Sequence, residues 1–250
     1  MGTQNPAAIA SITAAPSSDD EMISRPSRRH VLQGGLGGAT AGLLASAGVE
    51  FTVPRPSIAQ SRQTPDAALK ALMDGNRRFV AQRLTFYRED LRMLKQKTAE
   101  KQEPFASVLS CADSRVPVEI LFDQSIGRVF VNRVAGNLAT AETIASIEYG
   151  VAILGTRVLM VLGHGNCGAV KASISAKAVP GQISALYRHI RPAVDEANGQ
   201  FDAAIRTNAK IQAKLITDSS PVVASAIKDG KLKVVAAYYD LANGKVELLD

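Results

Sequence analysis

The chain has 250 residues, of which 46% are hydrophobic and 21% are charged, and this composition is ordinary for a soluble globular protein. Its net charge of +6 comes from scattered basic residues without interleaved aromatic side chains. Proteins that bind nucleic acid instead cluster their cations and stack bases on aromatic rings, so we expect no nucleic-acid partner.

The first 59 residues are interpreted as an export signal with its leader. Ser27-Arg28-Arg29 precedes a weakly hydrophobic stretch over residues 32–49, an order typical of signals for the twin-arginine export route. Ser57-Ile58-Ala59 fits the small-x-small cleavage rule, so we expect cutting after Ala59 and a location in the periplasm or otherwise outside a bacterial cytoplasm. A short transmembrane anchor is the alternative, but the many glycines make the stretch poorly apolar, so we expect no stable membrane anchor after signal removal.

Residues 60–103 are predicted to form a helical arm in front of the core. Thr64-Pro65-Asp66 is a good helix start, since it supplies an N-cap hydroxyl, a proline at the first helical position and an acid in the first turn. Apolar residues at helical spacing continue to about Arg83, and a second, more polar helix is predicted over residues 88–101.

From Phe105 onward, short apolar runs alternate with helical patterns. Strands are predicted over residues 105–110, 127–132, 157–162, 233–239 and 245–249, and helices over 140–154, 170–178, 182–196, 202–216 and 222–228. The third strand is almost continuously hydrophobic, as expected when both of its faces are covered. Between the last two strands, Asn243-Gly244 favours a hairpin with a type I′ turn.

This order predicts an α/β fold with a central, mainly parallel β-sheet flanked by helices, an N-terminal helical arm and a C-terminal β-hairpin. We expect residues 104–250 to form the α/β core, and residues 60–250 to be a single domain. Ligands in such sheets bind at the carboxyl ends of the strands. Cys111 follows the first strand and His164 follows the third, so both are expected in one crevice.

Two short motifs at these strand ends carry side chains that bind metals. Cys111–Arg115 reads Cys-Ala-Asp-Ser-Arg, and Gly163–Gly168 reads Gly-His-Gly-Asn-Cys-Gly. Two thiolates and an imidazole are ligands that zinc prefers, and the N-terminal dipole of the next helix favours a thiolate at Cys167. A Cys111–Cys167 disulfide is an alternative in an oxidising compartment. Phosphate binding by the glycine-rich loop is a weaker alternative, since no Lys-Ser/Thr pair follows it.

Both motifs resemble the signature segments of β-class carbonic anhydrases. The resemblance rests on Cys111–Pro117 and Gly163–Val170, and it extends from about Asp66 to the C-terminus. It includes Asn132–Asn137 between the two signatures and the Tyr-Asp-Leu-x-x-Gly segment of the late hairpin. The resemblance implies that family's fold, and it implies reversible hydration of carbon dioxide to bicarbonate and a proton through zinc-bound hydroxide.

The resemblance also implies a ligand set of one Zn²⁺ per chain, bound by Cys111, His164 and Cys167. Asp113 is expected either as the fourth ligand in a closed state or as the partner of Arg115 in an open, active state. In the open state zinc lowers the pKa of a bound water, and Asp113 orients the resulting hydroxide toward carbon dioxide. Asp113 and Arg115 are therefore the expected catalytic residues.

Substrate contacts and an assembly follow from the same resemblance. Gln102 matches a glutamine that donates a hydrogen bond to substrate, Phe130 and Tyr149 match aromatic residues of the apolar carbon dioxide cleft, and Gly168 is assigned to the same pocket. Plain core packing is the alternative for the two aromatic side chains. In β-class relatives the N-terminal arm wraps around a second subunit, so we expect a homodimer or higher homo-oligomer with active sites between chains.

Two further alternatives bear on the activity. Hydrolysis of carbonyl sulfide or carbon disulfide uses the same zinc scaffold, and the sequence does not separate it from hydration of carbon dioxide. A non-catalytic zinc module is the other alternative, but the Asp113–Arg115 pair would have no purpose in a closed structural site.

The residue before the first signature bears on whether the site is open or closed. A family subgroup with a bicarbonate pocket carries Trp three residues before the first Cys. This chain has Val108 there and no Trp, which favours the constitutively open type.

Overall fold

The structure is a computed structural model that describes residues 61–86, 95–96 and 98–250. Within them, one five-stranded sheet has the order β2-β1-β3-β4-β5. The strands are β1 (Ala106–Ser110), β2 (Val129–Arg133), β3 (Val158–His164), β4 (Lys233–Tyr239) and β5 (Val246–Leu249). The first four run parallel and β5 pairs antiparallel with β4, so the predicted parallel sheet with a C-terminal hairpin is confirmed.

Helices connect these strands and cover the sheet. They are α1 (Pro65–Val80), α2 (Val118–Leu121), α3 (Ala141–Glu148), α4 (Gly168–Ser175), α5 (Tyr187–Glu196), α6 (Phe201–Ser219) and α7 (Pro221–Lys228). A π-helical turn, Tyr149–Ile153, continues α3, and a 3₁₀ turn, Ile183–Leu186, precedes α5. Within the described part of the chain, no helix combines the length and apolar character needed to span a bilayer.

Alternate residues of β3 point to opposite faces of the sheet, and helices cover both faces. Val158, Met160 and Leu162 pack in the cluster that contains the buried side chains of α1 and α2. Leu159 and Val161 pack in the cluster formed with α3, α6 and α7. All five side chains are fully buried, and each contributes roughly 1.5–3 kcal/mol by leaving water. This double burial explains why the strand is almost continuously hydrophobic.

Helix α1 starts where the sequence predicts and ties two distant segments together. The Thr64 hydroxyl accepts a hydrogen bond from the Ala67 N–H at 3.2 Å, as an N-cap residue does. Further along, the buried Asn76 amide donates to the carbonyl of Gly244 and accepts from the N–H of Val246, both at 2.9 Å. The predicted helix over residues 88–101 lies largely outside the described residues, and the leader over 1–59 lies wholly outside them.

The predicted type I′ turn in the C-terminal hairpin is wrong. A type I′ turn needs positive φ at both central residues, but only Gly244 of the pair has it, at +77°. The Asp240 N–H donates to the Lys245 carbonyl, so the loop is longer than two residues. The Asp240 carboxylate accepts from the Ala242 N–H and from the Asn243 amide, and these local hydrogen bonds stabilise the longer loop.

The predicted helix over residues 140–154 is α-helical only to Glu148 and then changes pitch. At Gly150 an added Cβ would lie 2.7 Å from Ser107 Oγ and 2.9 Å from Phe130 Cδ1, so the backbone lies directly on the sheet. The π-helical turn begins one residue earlier, at Tyr149. The sequence predicted neither this turn nor the short helix α2, because a single helical turn has no periodicity to recognise.

Candidate metal centre

A cluster of three buried metal-ligating side chains lies at the carboxyl edge of the sheet. The ligand atoms of Cys111, His164 and Cys167 all lie within 4.8 Å of one another. The parallel register pairs Ser110 of β1 with Leu162 of β3, so the residues that follow each of them reach the same edge. Strand β3 runs two residues farther than predicted, so His164 is its last residue. Cys167 is the N-cap residue of α4.

The His164 imidazole presents one nitrogen to this cluster without a hydrogen-bond partner. Its Nδ1 lies 2.9 Å from the Gly165 carbonyl, to which it can donate a proton. Its Nε2 is buried and has no hydrogen-bond partner within the described residues. A buried polar atom normally has a partner, and a metal-binding histidine uses its second nitrogen in this way. The orphaned Nε2 beside two thiols fits a metal ion.

The two cysteines are free thiols in the structure, not a disulfide. A hydrogen bond from the Cys167 thiol holds the pKa of Cys111 well below its usual range, opposed by burial and supported by His164 and the Gly136 N–H. The same contact, together with burial, raises the pKa of Cys167. The contact between the two sulfurs therefore favours a thiolate at Cys111 over one at Cys167. A divalent cation would stabilise both thiolates, which is the chemistry this donor set needs.

Asp113 and Arg115 form a bidentate ion pair beside the cluster. Arg115 Nε donates to Asp113 Oδ1 at 2.9 Å and Arg115 Nη2 donates to Oδ2 at 2.7 Å. The arginine holds the pKa of Asp113 well below its usual range, against the opposing effect of burial. Asp113 Oδ2 lies 3.8 Å from His164 Nε2, so the carboxylate borders the three donors while paired with Arg115. Its place as a fourth ligand concerns another, closed conformation and stays a prediction.

Arg133 holds the loop that carries Cys111 and Asp113, and the sequence analysis did not single it out. Its Nε donates to the Cys111 carbonyl at 3.1 Å and its Nη2 donates to the Asp113 carbonyl at 2.6 Å. Arg133 is the last residue of β2 and pairs with Ser110 in the parallel register. Its position at a strand end beside the first motif was the signal that could have identified it.

The predicted substrate residues do not lie together in one chain. Gly168 opens α4 directly after Cys167, and Gln102 is exposed in the segment before β1. Phe130 and Tyr149 contact each other, with ring centroids 6.1 Å apart. However, Phe130 pairs with Ser107, four residues before Cys111, which is roughly 13 Å along the strand at about 3.3 Å per residue. A single chain therefore does not bring the aromatic pair to its own metal cluster.

Comparisons with known proteins agree with this site. The family model described as carbonic anhydrase matches residues 106–246. A carbonic anhydrase of Mycolicibacterium smegmatis is 37% identical over 199 residues, which covers 74% of this chain and 93% of that protein. Carbonic anhydrase 2 of Mycobacterium tuberculosis is 34% identical over 194 residues, with the same shares covered, 74% and 93%. This chain belongs to the carbonic anhydrase family.

Solved structures assign the fold to the β class of carbonic anhydrases. A Coccomyxa β-carbonic anhydrase in complex with acetazolamide is 28% identical, with a TM-score of 0.58 over 72% of this chain and 86% of that one. The β-carbonic anhydrase CafA of Aspergillus fumigatus is 25% identical, with a TM-score of 0.60 over 73% of this chain and 90% of that one. The predicted β-carbonic anhydrase fold is confirmed.

Proposed function

We propose that this chain is a zinc enzyme that catalyses the reversible hydration of carbon dioxide to bicarbonate and a proton. The observation that carries the proposal is the buried cluster of Cys111, His164 and Cys167 with the Asp113–Arg115 ion pair at its border. The relatives named carbonic anhydrase support the same reaction. Both parts are needed for the activity, because the cluster can bind the metal and the Asp113 carboxylate of the ion pair supplies the hydrogen-bond acceptor.

The donor set favours one zinc ion per chain. Thiolate and imidazole ligands suit zinc, whereas magnesium and calcium prefer oxygen ligands. Three protein ligands leave a position for a water molecule, as in catalytic zinc sites, while structural sites are usually closed by four Cys or His ligands. A zinc ion bound there would act as a Lewis acid and lower the pKa of a water molecule toward neutrality, from about 15.7 in bulk water.

Asp113 has a defined task in this proposal. Because Arg115 keeps it ionised, its carboxylate offers only hydrogen-bond acceptors. It can therefore accept a hydrogen bond from an attacking O–H group and so leave an oxygen lone pair directed at the carbon of carbon dioxide. Arg133 fixes the loop that carries Asp113, since its side chain donates hydrogen bonds to the backbone carbonyls of Cys111 and Asp113.

One stopped-flow experiment with carbon dioxide, carbonyl sulfide and carbon disulfide tests the proposal, together with metal analysis of the same sample. We expect one zinc per chain and turnover of carbon dioxide, and we expect Cys111→Ser to lose the zinc. Rapid hydrolysis of the sulfur compounds without hydration of carbon dioxide would replace the proposed reaction. A zinc-loaded protein that is inert toward all three substrates would favour the non-catalytic module.

The proposal includes a homodimer, or a higher assembly, with each active site between two chains. Phe130 and Tyr149 lie away from the metal cluster of their own chain, and Tyr149 is 47% exposed. Ile120, Ile126 and Ile153 are further exposed apolar side chains among the described residues. A second copy that buried this aromatic patch could bring Phe130 and Tyr149 to its partner's cluster.

We also propose that the enzyme acts outside the cytoplasm of a bacterium. The support is the sequence alone, namely the twin arginine at Arg28-Arg29, the mild apolar stretch after it and the cleavage signal that ends at Ala59.

A further inference from the structure

The loop after β2 places a backbone N–H on one of the metal-ligating sulfurs. The Gly136 N–H donates to Cys111 Sγ with an N–S distance of 3.2 Å. Gly136 has a φ of +81°, which glycine adopts without strain. An added Cβ there would also lie 2.9 Å from Ile190 Cδ1, so the peptide lies in close contact with the core. The loop therefore reaches Cys111 in one specific backbone conformation.

Helix α6 holds the same loop from its other side. Asn208 Nδ2 donates to the Gly136 carbonyl at 2.9 Å, so the two peptide groups that flank the Gly136 Cα are anchored at Cys111 Sγ and at Asn208. One turn later on the helix, Gln212 Oε1 accepts from the N–H of Ala139 at 2.8 Å. Together the two amides fix the loop at both ends of the Gly136–Ala139 segment.

The two amides also fix each other. Gln212 Nε2 donates to Asn208 Oδ1 and to the His189 carbonyl, both at 3.1 Å. Asn208 and Gln212 are each only 1% exposed. Burying an amide costs free energy unless it is hydrogen-bonded, and here each amide has partners for both its oxygen and its nitrogen. Only one orientation of each side chain satisfies these contacts, so the network is rigid.

We propose that Asn208 and Gln212 are positioning residues that hold the Gly136 N–H on the Cys111 sulfur and thereby secure the bound metal. The inference rests on the proposed zinc site. An N–H that donates to a thiolate stabilises the deprotonated ligand and fixes the direction of its lone pairs. His164 is oriented separately, through the Gly165 carbonyl, so loss of the amides should act on the Cys111 bond and leave the His164 bond in place.

Metal release from the zinc-loaded protein under a chelator provides the first measurement. Asn208→Leu and Gln212→Met keep approximate side-chain size and remove the hydrogen bonds to the loop. Each should release zinc about tenfold faster than the wild type or more, as with other losses around metal ligands. Ile216→Val is the matched control, because Ile216 is fully buried on the same helix. It packs in a different hydrophobic cluster from the one that contains Cys111 and Cys167. It should release zinc within about twofold of the wild-type rate.

Cadmium-113 NMR provides a second measurement, which begins with the wild-type protein. In the ¹¹³Cd-loaded wild-type protein, the Gly136 amide proton should show a scalar coupling to cadmium across the N–H···S contact with Cys111. The coupling should vanish or weaken in Asn208→Leu, while a coupling through the His164 ring should persist. A general loss of stability would weaken neither coupling selectively.

The outcomes separate this inference from the proposed function. A protein that binds neither zinc nor cadmium removes both. A metal-loaded wild type without the Gly136 coupling overturns the inference alone, and so do folded Asn208→Leu and Gln212→Met variants that release zinc at the wild-type rate. If those variants do not fold, the Gly136 coupling is measured in the wild type and in Asn208→Ser. A coupling that weakens in Asn208→Ser supports the inference, and an unchanged coupling overturns it.

Discussion

At the scale of single residues, the chemistry depends on a carboxylate that is kept ionised and kept still. Two side-chain nitrogens of Arg115 and its own backbone N–H all donate to the Asp113 carboxylate. A fourth hydrogen bond from Arg115, to the Asn166 carbonyl at 3.2 Å, links this pair to the loop that carries Cys167. The charge of Asp113 is therefore not limiting at neutral pH, and its orientation is the property that Arg115 controls.

The first prediction separates orientation from charge. Asp113→Asn and Arg115→Ala should each lower kcat/KM for carbon dioxide by about 10²-fold or more, the range typical of positioned proton-handling groups, with zinc still bound. Without Arg115 the pKa of Asp113 should rise toward its ordinary value of about 3.9, which still leaves it ionised at pH 7. Raising the pH should thus not rescue Arg115→Ala.

Stopped-flow rates from pH 6 to 9 and zinc content measure this prediction. Arg191→Ala is a suitable control, since it removes another arginine–aspartate pair that lies on the surface, with Asp195. Near-wild-type rates in both variants would show that the pair has no part in the reaction.

At the scale of secondary-structure elements, Asp123 joins three segments that precede and flank the sheet. It follows α2, and its fully buried carboxylate accepts hydrogen bonds from Arg78 at the end of α1 and from the backbone N–H groups of Thr85 and Phe86. Burial raises its pKa, but these hydrogen bonds outweigh that effect and leave the pKa lowered. A depressed carboxyl pKa stabilises the fold above the unfolded-state pKa, and this contribution is lost as the pH falls through the folded-state pKa.

The second prediction follows from that sign. Asp123→Asn should lower the free energy of unfolding by about 2–3 kcal/mol at pH 7, because charged hydrogen bonds are lost. The difference from the wild type should begin to shrink below the unfolded-state pKa of about 3.9, and it should vanish only below the lower folded-state pKa, where the native carboxylate is also protonated. Urea unfolding at pH 7 and at the lowest pH at which the wild type stays folded measures it. Asp195→Asn, in an exposed ion pair, should change stability little at either pH. A pH-independent difference would contradict the assignment.

The comparison between sequence and structure at this scale follows the range of the interactions involved. The start of α1 was predictable because Thr64 and Pro65 act on neighbouring residues. The meeting of Cys111 with His164 was predictable because parallel strands place their carboxyl ends together. The hairpin turn was not, because Asn76 contacts Gly244 and Val246 from about 170 positions away in the chain.

The polar residues of α6 show the same limit. In a helical pattern Asn208 and Gln212 look like part of a solvated face, and the predicted helix over residues 202–216 includes both without distinguishing them. The structure buries both against the loop at Gly136. Burial of an amide depends on a partner distant in sequence, so no local pattern identifies it.

At the scale of the whole molecule, the leader gives the third prediction. Replacing both Arg28 and Arg29 by Lys should trap the precursor in the cytoplasm, since the twin arginine is the recognised feature of the proposed signal. Cell fractionation with immunodetection and N-terminal sequencing of the exported form measures the effect. Replacing Arg55 by Lys, outside the twin-arginine motif, is the control. Periplasmic enzyme cleaved after Ala59 in the double variant would refute the twin-arginine route.

The last prediction concerns assembly, and it separates metal binding from activity. The three metal ligands lie on one chain, whereas Phe130 pairs with Ser107, four residues before Cys111, and its ring contacts that of Tyr149. A carboxylate placed in an apolar interface is costly to bury, so Tyr149→Glu should dissociate the proposed dimer. The resulting monomer should keep one zinc per chain but lose most of its hydration activity, because the aromatic patch of the other copy no longer reaches its cluster.

Sedimentation velocity at micromolar concentration, zinc content and stopped-flow rates on the same samples measure these three properties together. Leu215→Glu is the matched control, since Leu215 is also a large exposed apolar side chain, 37% exposed on α6. It should leave assembly and activity unchanged. Because the interface is proposed to complete the site, wild-type activity per chain should also fall on dilution through the dimer dissociation range. A wild-type protein that sediments as a monomer and is fully active would contradict an active site shared between two chains.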